Sequence, residues 1–270
     1  MKRKYMIIVL MAGALELTGC SQGTSNSAKN GTTGSENTII SESDIAILDT
    51  EDMFTERDRD TEYDESECTA ISLSDEETKC DSDGVKMDGQ TVTITEGGTY
   101  LLTGSLSNGS VVVDTDKTEK VQLILENVSI INEEGAGICV EQADKVFITL
   151  ADGSTNKIVS NSFTGNEDTN IDGAIFSRED LTLNGSGTLK ITSAAHGIVS
   201  KDDLVLTGGV YQIQSEKQGL SGKESVRIAD GTFTITSGTD AIHSEDTDED
   251  TKGFVYITGG VLTLAAGGDG

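Results

Sequence analysis

A repeat of about 22 residues runs through the second half of the chain and constrains its fold more than any other feature. Ile175, Ile198, Leu220 and Ile242 form one column, spaced by 23, 22 and 22 residues, each followed two positions later by Ser177, Ser200, Gly222 or Ser244. The same register aligns Leu181, Leu204, Val226 and Val255, then Leu183, Leu206, Ile228 and Ile257, then Ile191, Ile213, Ile235 and Leu264. Short runs such as Thr91 to Thr95 and Val121 to Leu125 alternate apolar and polar residues, broken by Gly or Asn-Gly, which is a β-strand signature. Three short strands in such a period do not suit a helical solenoid, whose units are longer and carry a rhythm of about 3.6 residues. They suit one turn of a parallel β-helix, in which each coil buries alternate residues and stacks about 4.8 Å above the last. The absence of Pro and Trp and the presence of 31 Gly fit regular, Gly-turned β-structure. Thr188, Thr192, Thr232, Thr234 and Thr236 are expected to face solvent.

The N-terminus has a different grammar. Lys2, Arg3 and Lys4 precede an apolar run from Tyr5 to Leu15, and Leu17-Thr18-Gly19-Cys20 closes it with a lipobox pattern. The run is too short to span a bilayer stably, so residues 1–19 read as a cleaved export signal, with Cys20 as the lipidated mature N-terminus. The expected location is the cell surface, held to the membrane by that lipid. Residues 20–66 are rich in Ser, Thr, Asn, Gly, Asp and Glu and read as a solvated acidic tether with an r.m.s. reach of about 35–40 Å. Its acidic run from Glu56 to Glu67 is expected to supply solubilising charge. The net charge of −28 disfavours nucleic acid as a partner. Of the remaining cysteines, Cys68 and Cys80 could bridge, and Cys139 stands alone.

The run His196-Gly197-Ile198-Val199-Ser200-Lys201-Asp202-Asp203-Leu204, with Thr207-Gly208-Gly209, Gly222-Lys223-Glu224-Ser225-Val226 and Gly267-Gly268-Asp269-Gly270, resembles the carbohydrate-binding domain family of bacterial cell surfaces. The likeness extends from about Thr69 to the end of the sequence. It implies a right-handed parallel β-helix over residues 67–270, similar in fold to pectate lyases, with polysaccharide as partner and calcium as an associated ion. Gln218 stands where the family usually has Asp, and Ala241 where it has Gly. The last residues open a further coil in register with Asp240-Ala241, so the domain is expected to continue or to be covered by a partner at that end.

Two insertions break the repeat, one from about Ser160 to Ile171 and one from Glu245 to Thr251. Both flank a strand column whose outward positions are Cys139, Phe176, Val199, Ser221 and His243, with Arg178, Lys201 and Lys223 along its trailing edge. A cationic ladder between acidic loops suggests a glycan groove formed by Phe176, Arg178, Val199, Lys201, Lys223 and His243. The alternative is plain salt bridging, because each cation precedes an acid, Glu179, Asp202 or Glu224. In the second insertion Asp246, Asp248 and Asp250 alternate, and with Asp240 and Asp269 they form a candidate set of hard oxygen ligands for Ca²⁺. His196 and His243 fall in different columns about two coils apart, roughly 10 Å, too far to share one metal ion. The first reading is a surface module that binds a cellulose-like or acidic pectin-like polysaccharide without cleaving it; a calcium-dependent lyase and a structural or adhesive surface protein are the alternatives.

Overall fold

The computed structural model describes residues 7–9, 53–163 and 170–267. The lipobox with Cys20, the acids Glu167 and Asp168 of the first insertion, and Asp269 lie outside these residues. Within them the chain is an all-β parallel solenoid with three faces. The first face stacks Phe254–Ile257, Ser225–Ile228, Asp203–Leu206, Asp180–Gly185, Lys145–Leu150, Lys120–Leu125 and the start of Gly98–Leu106. The second stacks Ile242–Ser244, Leu220–Gly222, His196–Ser200, Gly173–Ser177, Ile138–Gln142, Ser110–Asp114 and Thr91–Ile94, the last closed by antiparallel Val85–Asp88. The third runs from the end of Gly98–Leu106 through Ser129–Asn132, Thr155–Ser160, Thr188–Ser193, Val210–Ser215 and Thr232–Ser237 to Val261–Ala266. At the N-terminal end Thr69–Leu73 pairs with Gly98–Leu106. At the other end Ile7–Val9 pairs with Phe254–Ile257, a place that cleavage before Cys20 would vacate.

The columns predict the register. Ile175 pairs with Ile198, Ile198 with Leu220 and Leu220 with Ile242, and the other three columns match coil for coil. Each inward side chain therefore sits on its counterpart in the next coil, and the stack encloses one continuous apolar core. Tyr211 and Phe233 stack within it with centroids 4.8 Å apart and planes 4° apart, while the Tyr211 hydroxyl donates to the Gly208 carbonyl. The corner after Asp180–Gly185 needs glycine. Gly185 has φ of 96°, and a Cβ there would lie 2.2 Å from the Leu150 carbonyl oxygen.

Residues 53–60, expected to be tether, belong to the folded body. Thr55 caps the one-turn helix Glu56–Arg59 in a capping box with Asp58. Asp58 is buried and ion-pairs with Lys145 at 2.8 Å, and it accepts a 2.6 Å hydrogen bond from Thr182. Burial alone would raise its pKa, but the Lys145 ammonium and Thr182 hydroxyl hold it at about 2. The acidic run is thus not uniformly solvated, because one of its carboxylates is buried against the outer side of the first face. Cys68 and Cys80 are free, partly exposed thiols, and Cys139 is a free buried one.

Candidate functional site

The strand columns bring most of the expected cations to a single cavity of about 260 Å³ on the second face. Lys201, Lys223, His243 and Val199 line it, joined by Asp172, His196, Gln218, Ser221 and Glu245. In-register stacking places Val199, Ser221 and His243 on successive coils, and the corner after each strand sets Lys201 and Lys223 beside them. The volume lies just under the range of about 300–1,000 Å³ that encloses whole small ligands, so the cavity suits one ring or one substituent of a longer chain.

Hydrogen bonds orient the polar groups around it. The Gln218 backbone N–H donates to His196 Nδ1 at 3.2 Å, so in the neutral ring the proton resides on Nε2, which faces Asp172 Oδ2 at 3.5 Å. Burial lowers the His196 pKa to about 4, outweighing the attraction of Asp172, and the imidazole is neutral at ordinary pH. Asp172 Oδ1 lies 3.6 Å from Lys201 Nζ, yet it is buried and accepts no hydrogen bond from the described residues. His243 Nδ1 faces Asp240 Oδ2 at 3.1 Å, and its Nε2 lies 3.9 Å from Glu245 Oε2. Asp172 and His196 were not among the expected site residues. Their signal was position, since Asp172 follows the first insertion and His196 opens the strand that Lys201 follows.

Phe176 and Val199 do not form the outward platform expected of them. Phe176 is 0% and Val199 2% exposed, packed with Ala136 and Cys139 and flanked by Val112 and Ile171. A column of outward apolar residues in a solenoid is costly to leave wet, and here it is covered. Arg178 and Lys201 lie over the Phe176 ring, with Cζ and Nζ 5.5 and 5.2 Å from its centroid, so the ring supports cations instead of meeting a ligand.

The ladder cations are paired, though not with the acids that follow them in sequence. Arg178 binds Glu141 at 2.6 Å, Lys201 faces Asp172, and Lys223 lies 3.6 Å from Asp246 and 3.8 Å from Asp248. The acid column is left stacked on itself. Burial and the neighbouring Glu224 push Asp202 up to about 6, and Glu224 is in turn drawn to Lys252 at 2.5 Å.

The expected calcium ligands are not gathered. Asp246 Oδ1 accepts the backbone N–H groups of Asp248 and Glu249, which lower its pKa, and its other oxygen faces Lys223. Asp240 is engaged by His243. Among the described residues no three His, Cys, Asp or Glu side chains are placed to hold a metal ion. Asp240, Asp246, Asp248 and Asp250 therefore do not form a ready-made cation cage as they stand.

Comparison with known proteins places these observations in a family. The family model described as carbohydrate-binding domain-containing protein matches residues 88–270. A carbohydrate-binding domain-containing protein of Acetivibrio thermocellus is 35% identical over 191 residues, covering 69% of this chain and 67% of that protein. Among solved structures, the polysaccharide lyase-like protein from C. thermocellum, in its gadolinium derivative, superposes with a TM-score of 0.69 at 34% identity, over 73% of this chain and 82% of that one. A matched model across most of the chain, a relative of the same description and a shared solenoid agree, and the chain belongs to the family of carbohydrate-binding domain-containing proteins.

Proposed function

We propose that the protein binds an acidic polysaccharide without cleaving it, through the cavity between Lys201 and Lys223. The observation that carries this reading is the fixed set of polar groups around a space for a single sugar unit. Lys201 and Lys223 are partly exposed cations suited to a carboxylate. The neutral His196 offers an Nε2–H donor to a sugar hydroxyl. Binding is favoured over proton abstraction by His196 because its lone pair is already taken by the Gln218 N–H. Lys201→Ala and Lys223→Ala are each expected to weaken binding to a polyuronate by about tenfold, the loss of one charge-assisted contact, and to leave binding to a neutral glucan unchanged. Calorimetric titration of both glycans decides this, and equal affinity in wild type and both variants removes the cavity from consideration. An unsaturated uronate absorbing in the ultraviolet during the titration would replace binding by a lyase reaction.

Calcium enters as an additional proposal. Binding at the Asp246-to-Asp250 loop would require the ion to displace Lys223 from Asp246 and Asp248, freeing that lysine for the sugar. Repeating the titration in chelator reads this directly, and unchanged affinity removes the ion from the mechanism.

Attachment to the membrane through a lipid on Cys20 is the third part of the proposal, supported by the lipobox and its charged and apolar lead-in. Cys20→Ala is expected to move the protein from the membrane fraction to the soluble exported fraction. Retention of the variant in washed membranes would point to an uncleaved anchor instead.

A further inference from the structure

In a solenoid each coil touches only its neighbours, so contacts between distant coils must come from something laid along the stack. Met53–Asp60 is such an element on the outside of the first face. The Met53 carbonyl accepts from Arg227 at 3.0 Å, and the Phe54 ring lies 6.0 Å from Tyr256 on Phe254–Ile257. Farther along, Arg57 donates to Gln122 at 2.8 Å and lies over Phe147 at 4.6 Å, while Asp58 meets Lys145 and Thr182. Thr207 donates to the Asp58 carbonyl at 2.6 Å, and Asn184 donates to the carbonyls of Asp58 and Asp60. Eight residues thus engage every coil of the face from Lys120–Leu125 to Phe254–Ile257.

The face beneath is shaped for this occupant. Gln122 donates to Thr149 at 3.0 Å and Thr149 to Asn184 at 2.7 Å, across three coils. Both ends of that chain are completed by the segment, Arg57 at the Gln122 oxygen and the Asp58 and Asp60 carbonyls at the Asn184 amide. Gln122, Thr149, Thr182 and Asn184 point away from the core, yet all are buried. Removing the cover would return these polar groups to water together with the outward Ile124, Phe147 and Val205, which are buried as well.

We infer that Met53–Asp60 is a longitudinal clasp that joins non-neighbouring coils and makes the stack open as one unit. The coils it holds at the C-terminal side are those that carry Lys201, Lys223 and His243, so the clasp also keeps the cavity assembled. This second role rests on the binding reading above, whereas the clasp itself is read without any ligand.

Native-state hydrogen exchange and calorimetry on the full chain test it. Deleting residues 53–60 is expected to lower amide protection in Ser225–Ile228 and Phe254–Ile257 at least a hundredfold relative to Lys120–Leu125, and to split one melting transition into two. Phe54→Ala, whose ring meets Tyr256 on the face and Arg59 within the segment, is expected to lower protection in Phe254–Ile257 about tenfold and leave Lys120–Leu125 unchanged. A single transition with protection unchanged or lowered evenly along the deleted protein overturns the clasp. If the deletion does not fold, Phe54→Ala decides alone, and an absence of selective loss at Phe254–Ile257 overturns it.

Discussion

Leu220→Ala is expected to cost about 2–5 kcal/mol of stability. Leu220 is fully buried and stacks between Ile198 and Ile242 on the coils either side. The site has little freedom to collapse around the missing atoms. The Leu220 N–H donates to the Ala241 carbonyl and the Ile198 N–H to the Gly219 carbonyl, both at 3.0 Å, so the backbone spacing between coils is set by hydrogen bonds. Gly219 beside it is already packed tightly, since a Cβ there would lie 2.4 Å from the Ile235 side chain. A cavity left in such a frame stays largely empty, which is the costly limit of a large-to-small change. Chemical denaturation measures the loss, and a change under about 1 kcal/mol would mean that the coils close together more freely than their ladders imply.

Asp58→Ala is expected to cost about 3–5 kcal/mol, because it leaves Lys145 without its partner in a largely buried place and orphans the Thr182 hydroxyl. The effect has a pH signature. The folded carboxyl titrates near 2, below its ordinary 3.8, so the folded state favours the ionised form. Its contribution is complete above about pH 4 and is lost as pH falls toward 2, roughly 2 kcal/mol in all. The wild-type protein should therefore lose more stability than Asp58→Ala between pH 4 and pH 2. Parallel stability curves for the two proteins over that interval would show that the Asp58–Lys145 pair does not act as described.

The inward columns were legible because two signals repeat in them. Alternation of period two puts Leu181 and Leu183 inside, and translation by about 22 residues repeats the pair at Leu204 and Leu206, then Val226 and Ile228. Outward positions carry no such signal, since a polar residue there reads the same whether it meets water or another segment. Gln122, Thr149 and Asn184 are polar and outward-facing, and are buried beneath Met53–Asp60. The residues that could have revealed the cover are the apolar ones on the same face, Ile124, Phe147 and Val205, which are also buried. Phe176 and Val199 carried the same message on the second face, where an apolar outward column marks a covered surface.

By itself the sequence determined the coil, its period and its register, because each depends on which residues repeat and on which side of a strand they fall. Only the tertiary structure decided what lies over the outer faces and which charges meet. Arg178, Lys201 and Lys223 found Glu141, Asp172 and Asp246, not the acids next to them in the chain, because a turn corner aims neighbouring side chains in different directions while stacking brings distant ones together. Asp58 reaches Thr182 and Thr207 across 124 and 149 residues, and pairings at such separations leave no periodic trace for a sequence to display.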